Sequence, residues 1–193
     1  MSGPGRPAVF LDRDGTIGEA PPPGGFVVRP EAFRLIPGVA EALARLQRAG
    51  LALVVVTNQS CIARGLATED DVAAVHSEMR RQLAASGVAL DAVYHCPSLD
   101  PDDPDRKPNP GMIERAIAGL GLDRARSVMV GDSTRDVEAG RAAGAGTVLV
   151  TEQSAPGEPD RARAVGPDAV FGNLPEAVDW ILERTVGRND GGA

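Results

Sequence analysis

The chain has 193 residues, 42% of them hydrophobic and only 3% aromatic, and a formal net charge of −7. That length suits one domain with a core built from Ala, Val and Leu, which excludes wholesale disorder. The acidic balance, with no strongly basic patch, leaves no nucleic-acid footprint.

Two cysteines, Cys61 and Cys96, make no disulfide framework and fit a reducing compartment. No signal peptide or membrane-length apolar run is visible. The expectation is a cytoplasmic protein with no membrane partner.

Met1 to Pro7, rich in Gly and Pro, is expected to be a flexible arm, residues 8–186 a single domain, and Gly187 to Ala193 a flexible tail. The run Ala8-Val9-Phe10-Leu11 predicts a buried strand, followed by Asp12-Arg13-Asp14-Gly15-Thr16. Alternation along a strand lets Asp12 and Asp14 project the same way from its C-terminal end. The loop Gly18–Gly25 contains Pro21-Pro22-Pro23-Gly24-Gly25. It reads either as a border of a substrate site or as a plain surface connection. Val39 to Ala49 has a helical pattern stopped by Gly50.

Leu51 to Val56 is a continuous apolar strand, as a parallel sheet covered on both faces requires. It leads into Thr57-Asn58-Gln59-Ser60 and a loop carrying Arg64. Thr68 is placed to cap a helix reaching about Ser86, with His76 as a solvated or partly packed helix residue. Asp91 to Cys96 reads as a third strand. After a Pro/Asp loop with Arg106-Lys107-Pro108, Asn109-Pro110 predicts a helix start, with the Asn as cap. Ser127 to Val130 predicts a fourth strand, ending in Gly131-Asp132-Ser133-Thr134-Arg135-Asp136, and a helix follows from about Thr134 to Ala143. Gly146–Val150 and Ala169–Phe171 complete the strands, and Leu174–Thr185 is a last amphipathic helix.

Alternating strands and helices specify an α/β fold with a mainly parallel sheet and helices on both faces. Ligands of such sheets bind beyond the carboxyl ends of the strands. There lie Asp12/Asp14, Thr57/Asn58, Arg106/Lys107 and Asp132/Asp136. Asp12 and Asp132 offer hard oxygen ligands suited to Mg²⁺. Lys107 supplies a point positive charge, and Thr57 with backbone amides supplies hydrogen bonds to phosphate. Asp14 is left for proton transfer. Together they describe a phosphoryl-transfer site built on an aspartyl nucleophile.

The order Asp-x-Asp-Gly-Thr, strand-Thr, Lys-Pro, Gly-Asp-x-x-x-Asp resembles the haloacid dehalogenase (HAD) superfamily of phosphatases, over nearly the whole chain. More narrowly, Phe10 to Thr16, Val56 to Ser60, Ile62 to Gly65 and Arg106 to Pro108 resemble the heptose bisphosphate phosphatases, a pattern shared with histidinol-phosphate phosphatase domains. The resemblance implies a Rossmann-like fold and a Mg²⁺-dependent phosphatase. Asp12 would become an aspartyl phosphate, and Asp14 would act as acid and then base. Mg²⁺ would be held by Asp12, Asp132 and the backbone carbonyl of Asp14. Thr57 and Lys107 would steady the phosphoryl group. Asn58, Gln59, Ser60, Arg106 and Ser133 would contact substrate, and Asp136 would orient the site. Arg64 would touch the distal part of the substrate or simply be solvated. Ser133 stands where the heptose enzymes carry a lysine.

The stretch between Thr16 and the second strand holds only a loop and one helix, so a capless enzyme is expected. Its substrate would be a small phosphorylated sugar and its state a monomer. The alternatives are a histidinol-phosphate or other small phosphomonoesterase, a non-catalytic binding module, and a polynucleotide 3′-phosphatase. Retention of both first-motif aspartates and the scarcity of aromatics argue against the last two. Many heptose bisphosphate phosphatases hold zinc through a Cys-x-His pair and a Cys-x-Cys pair before Arg-Lys-Pro. Here only Cys96 remains, with Ser98, Pro104 and Asp105 at the other positions, so no zinc is expected. Proline geometry and hydrogen bonds from Asp100, Asp102, Asp103 or Asp105 are expected to hold the loop instead.

Overall fold

The computed structural model describes residues 5–187. Most of the expected arm and tail, residues 1–4 and 188–193, lies outside the described residues. Residues 5–7 are docked. Arg6 donates to the carbonyls of Gly50 and Leu51 at 2.8 and 2.7 Å and pairs with Asp91 at 2.7 Å.

The strands are β1 (Ala8–Leu11), β2 (Ala52–Asn58), β3 (Ala92–Cys96), β4 (Val128–Gly131), β5 (Gly146–Val150) and β6 (Ala169–Phe171). The helices are α1 (Val39–Arg48), α2 (Glu69–Ala84), α3 (Gly111–Leu120), α4 (Thr134–Ala142), α5 (Glu158–Ala164) and α6 (Leu174–Val186). A short 3₁₀ turn at Pro30–Ala32 lies in the stretch expected to be loop.

All six strands pair in parallel in the order β3-β2-β1-β4-β5-β6. The inner strands β1, β2, β4 and β5 are short, apolar and buried because they are covered on both faces, while the edge strands β3 and β6 are only partly buried. Alternation divides them cleanly. Val9, Leu11, Leu53, Val55, Val128 and Val130 face α1, α2 and α6. Ala8, Phe10, Val54, Val56 and Met129 face α3 and α4.

Thr68 caps α2 as its sequence predicts, accepting from the Asp71 backbone N–H at 3.1 Å while the Asp71 carboxylate accepts from the Thr68 N–H. The start of α3 differs from the expectation. The helix begins at Gly111, and Asn109 does not cap it. Its amide donates to the carbonyls of Pro101 and Asp103, both at 2.8 Å, which closes the preceding loop instead.

The chain leaves β1 toward β2 and β3 on one side, and places β4, β5 and β6 on the other. The point where the order reverses, between β1 and β4, is where an open parallel sheet leaves a crevice at its carboxyl edge. Asp12 follows β1 there and Asp132 follows β4. Among the described residues no helix is long and apolar enough to cross a membrane.

Candidate active site

A cavity of about 500 Å³ opens at this edge, lined by Asp12, Asp14, Thr57, Asn58, Lys107, Asp132 and Ser133. One wall is the Pro-rich loop from Ala20 to Phe26, and the other is the segment from Glu152 to Pro156. Of the two readings of the Gly18–Gly25 loop, the structure favours the border of a site. No cap domain intervenes among the described residues, since these two loops are the walls.

Lys107 is the centre of the charge arrangement. It is buried, and its Nζ lies 2.9 Å from Asp12 Oδ1 and 2.6 Å from Asp136 Oδ1. Burial alone would lower its pKa, but the Asp12 and Asp136 carboxylates outweigh it and the net shift is upward. Asn58 splints this lysine. Its Nδ2 donates to the Lys107 carbonyl at 2.9 Å, and its Oδ1 accepts from the Lys107 N–H at 3.0 Å. Asn58 therefore positions the cation as well as lining the cavity.

Asp12, Asp132 and Asp136 each offer an oxygen within 4.8 Å of the others. Asp132 has its pKa pushed up to about 8, first by burial and then by the charges of Asp136 and Asp12. Three carboxylates gathered around one buried ammonium leave excess negative charge, which a divalent cation neutralises. Asp136 is already committed. One of its oxygens takes Lys107, and the other accepts from the Ser133 N–H and hydroxyl at 3.1 and 2.6 Å. That leaves Asp12 and Asp132 as the carboxylates that could hold a divalent ion, a hard-oxygen set that fits Mg²⁺. Gly15 makes this possible. Its φ is +81°, and a Cβ there would run into the Asp132 carboxylate. On the other side, Ser154 Oγ donates to the Asp132 carbonyl at 2.6 Å and seats that wall against β4.

Asp14 is held differently. Arg13, fully buried, grips it through two bonds, Nε to Oδ1 at 2.9 Å and Nη2 to Oδ2 at 2.8 Å. Nη2 also reaches Gln59 Oε1 at 3.0 Å and the Val27 carbonyl at 3.2 Å. Gln59 Nε2 donates to Thr57 Oγ1 at 3.0 Å and to Asp14 Oδ2 at 3.3 Å. Because Thr57 accepts from Gln59, its own proton is free to donate into the cavity. Behind Arg13 stands His76, buried rather than solvated, with Nε2 3.4 Å from Arg13 Nη1.

The other expected substrate contacts are spread more widely. Gln59 is fully buried and lies behind Thr57 and Asp14. Ser60 is nearly buried, and Arg64 is exposed in its loop; neither lines the cavity. Arg106 lies outside the lining and donates from Nη1 to the Ser98 carbonyl at 2.6 Å. Ser133 lines the cavity, but its hydroxyl is given to Asp136.

The loop before Lys107 is closed by its own polar groups. Asp100 Oδ1 accepts from the Asp102 N–H at 3.0 Å, and Asp103 Oδ1 from the Asp105 N–H at 2.9 Å. The neighbouring His95 is occupied by Glu69 at 2.7 Å.

A family model described as HAD-hydrolase-like matches residues 105–177. A D-glycero-D-manno-heptose-1,7-bisphosphate 7-phosphatase of Thermosynechococcus vestitus is 41% identical, with 95% of this chain and 99% of the relative covered. The chain belongs to the heptose bisphosphate phosphatase family of HAD-like hydrolases. A second relative, the D-glycero-beta-D-manno-heptose-1,7-bisphosphate 7-phosphatase of Salmonella typhi, is 40% identical over 91% of this chain and 89% of its own length. Among solved structures, a D,D-heptose 1,7-bisphosphate phosphatase from B. bronchiseptica, complexed with magnesium and phosphate, superposes with a TM-score of 0.80. It is 34% identical and covers 92% of this chain and 98% of its own. The α/β Rossmann-like fold is shared across the family, and its named members are phosphatases.

Proposed function

We propose that this chain is a Mg²⁺-dependent phosphatase that removes the 7-phosphate of D-glycero-D-manno-heptose 1,7-bisphosphate. One observation carries the reading: a carboxylate at the end of β1 stands beside a buried lysine, a second carboxylate from β4 and a threonine hydroxyl, in a chain 41% identical to a phosphatase of that name.

The Asp12 carboxylate attacks phosphorus, an aspartyl phosphate (a mixed anhydride) forms on Asp12, and the bond to the sugar oxygen breaks. Asp14 gives the departing oxygen its proton. A water then attacks phosphorus, Asp14 takes that water's proton, and the bond between phosphorus and the Asp12 oxygen breaks to restore the Asp12 carboxylate and release phosphate. Arg13 fixes the plane of the Asp14 carboxyl group, whose side chain keeps 21% of its surface exposed for proton exchange. Lys107 and the Thr57 hydroxyl stabilise charge on the transferring group from fixed positions. Mg²⁺, held by Asp12, Asp132 and the Asp14 backbone carbonyl, supplies further neutralisation of the phosphate oxygens when bound.

The test is phosphate release from a panel: both anomers of the heptose bisphosphate, histidinol phosphate and a 3′-phosphorylated oligonucleotide. The highest kcat/KM is expected for one heptose bisphosphate anomer. A higher value for histidinol phosphate or the oligonucleotide overturns the reading.

A further inference from the structure

Among the described residues the cavity wall carries four carboxylates, Asp12, Asp14, Asp132 and Glu152, and two cations, Lys107 and Arg135. Lys107 is spent on Asp12 and Asp136. Arg135 is the other. It lies in the first turn of α4, is exposed, and makes no hydrogen bond or ion pair with any described residue. Its neighbour Ser133 offers nothing further, since that hydroxyl already donates to Asp136 at 2.6 Å.

The proposed substrate carries two phosphates. The one that reacts is met by Lys107, Thr57 and the cation site at the floor. The other brings up to two more negative charges into a wall that already has more carboxylates than cations. Without a positive group at the rim, a bisphosphate would bind more weakly there than a monophosphate, through like-charge repulsion. A guanidinium suits this place because it presents paired N–H donors to phosphate oxygens. It remains charged at any working pH.

We infer that Arg135 holds the second, non-reacting phosphate of the substrate and so sets the preference for a bisphosphate over a monophosphate. The inference rests on the substrate reading above and adds to it the residue that would select for the second phosphate. Arg64 and Arg106, the arginines expected from the sequence to meet substrate, lie outside the cavity lining.

The experiment compares kcat/KM for the heptose 1,7-bisphosphate with that for the matching 7-monophosphate. It uses the parent enzyme, Arg135→Ala and Arg135→Lys. A matched charge removal, Arg48→Ala on exposed α1 surface, serves as the control. Loss of one charge-assisted phosphate contact should lower the bisphosphate-to-monophosphate ratio roughly 10- to 100-fold in Arg135→Ala. The change should appear mainly in KM. Arg135→Lys should recover part of it and Arg48→Ala none. A parent enzyme that fails on the bisphosphate overturns the substrate reading and this inference together. A parent active on it, with an Arg135→Ala variant of unchanged ratio, overturns the inference alone.

Discussion

Replacing His76 with glutamine isolates the support behind the Asp14 clamp. The imidazole is 7% exposed and faces the Arg13 guanidinium, with His95 and Arg80 also near it and Glu69 bonded to His95. Burial first, then the positive charge of Arg13, pushes its pKa from 6.5 down to about 3. In the unfolded chain the ring takes its proton at about pH 6.5. Between those two values the unfolded state binds more protons than the folded one. The contribution is therefore fully present above the unfolded pKa and is lost as pH falls toward the folded one.

At about pH 4.5 the unfolded ring is almost fully charged and the folded ring almost wholly neutral. The loss relative to about pH 7 is then set by the unfolded pKa alone, and comes to about 2.5 kcal/mol at ~1.36 kcal/mol per pKa unit. Glutamine keeps an acceptor for Arg13 but does not titrate. Urea unfolding of both proteins at these two pH values reads the difference, and contributions common to both, such as His95 and the carboxylates, cancel. The parent should lose about 2.5 kcal/mol more than His76→Gln on acidification. Equal losses would refute the account of a neutral histidine buried against a guanidinium.

Asp12→Asn should fold like the parent and show no turnover, because an amide is neither nucleophile nor good Mg²⁺ ligand; appreciable phosphate release would contradict the assignment. Asp14→Asn should keep Mg²⁺ binding through its backbone carbonyl and lose about 10²- to 10⁴-fold in rate on a sugar phosphate, as removal of an acid–base group does. Gly15→Ala must adopt a positive φ costing about 1–2 kcal/mol and push against Asp132. Weakened Mg²⁺ affinity by titration calorimetry is expected, and parental affinity would count against the close approach. Chelation should stop activity and lower the melting temperature, Mg²⁺ should restore both, and Ca²⁺ should restore activity poorly because its coordination is looser.

The elements that bear the chemistry were legible because strand ends leave a strong mark in sequence. Apolar runs of three to six residues stop abruptly at Asp12, at Thr57 and at Gly131, and each stop is followed by groups that a core would not accept. The capping groups of α2 were readable for the same reason, since Thr68 and Asp71 act within one turn. Asn109 was misread because a cap and a loop clasp use the same side chain. The winning partners, the carbonyls of Pro101 and Asp103, depend on how the loop folds back. Arg135 and Ser154 left no signal, because exposure to one cavity depends on two loops meeting across the sheet edge.

The least legible part is also the part that controls Asp14. An arginine beside an aspartate reads as a solvated turn, and arginine is rarely found fully buried unless paired. Here the turn at Gly15 folds the chain back, with the Ile17 and Gly18 N–H groups donating to the Arg13 carbonyl at 3.0 and 2.9 Å. That closure brings the Arg13 side chain inward, where its cost of burial is met by Asp14, Gln59 and the Val27 carbonyl. The same guanidinium fixes Asp14 and, through Gln59, orients Thr57. The group assigned to carry the proton, Asp14, and the group assigned to donate a hydrogen bond to phosphate, Thr57, are thus held by one largely buried network drawn from the segments that follow β1, β2 and the Pro-rich loop. Removing Gln59 takes a partner from Arg13, Thr57 and Asp14 at once, and each buried group left unpaired costs about 1–3 kcal/mol. The network therefore holds Asp14 and Thr57 in place by the same bonds that hold the fold.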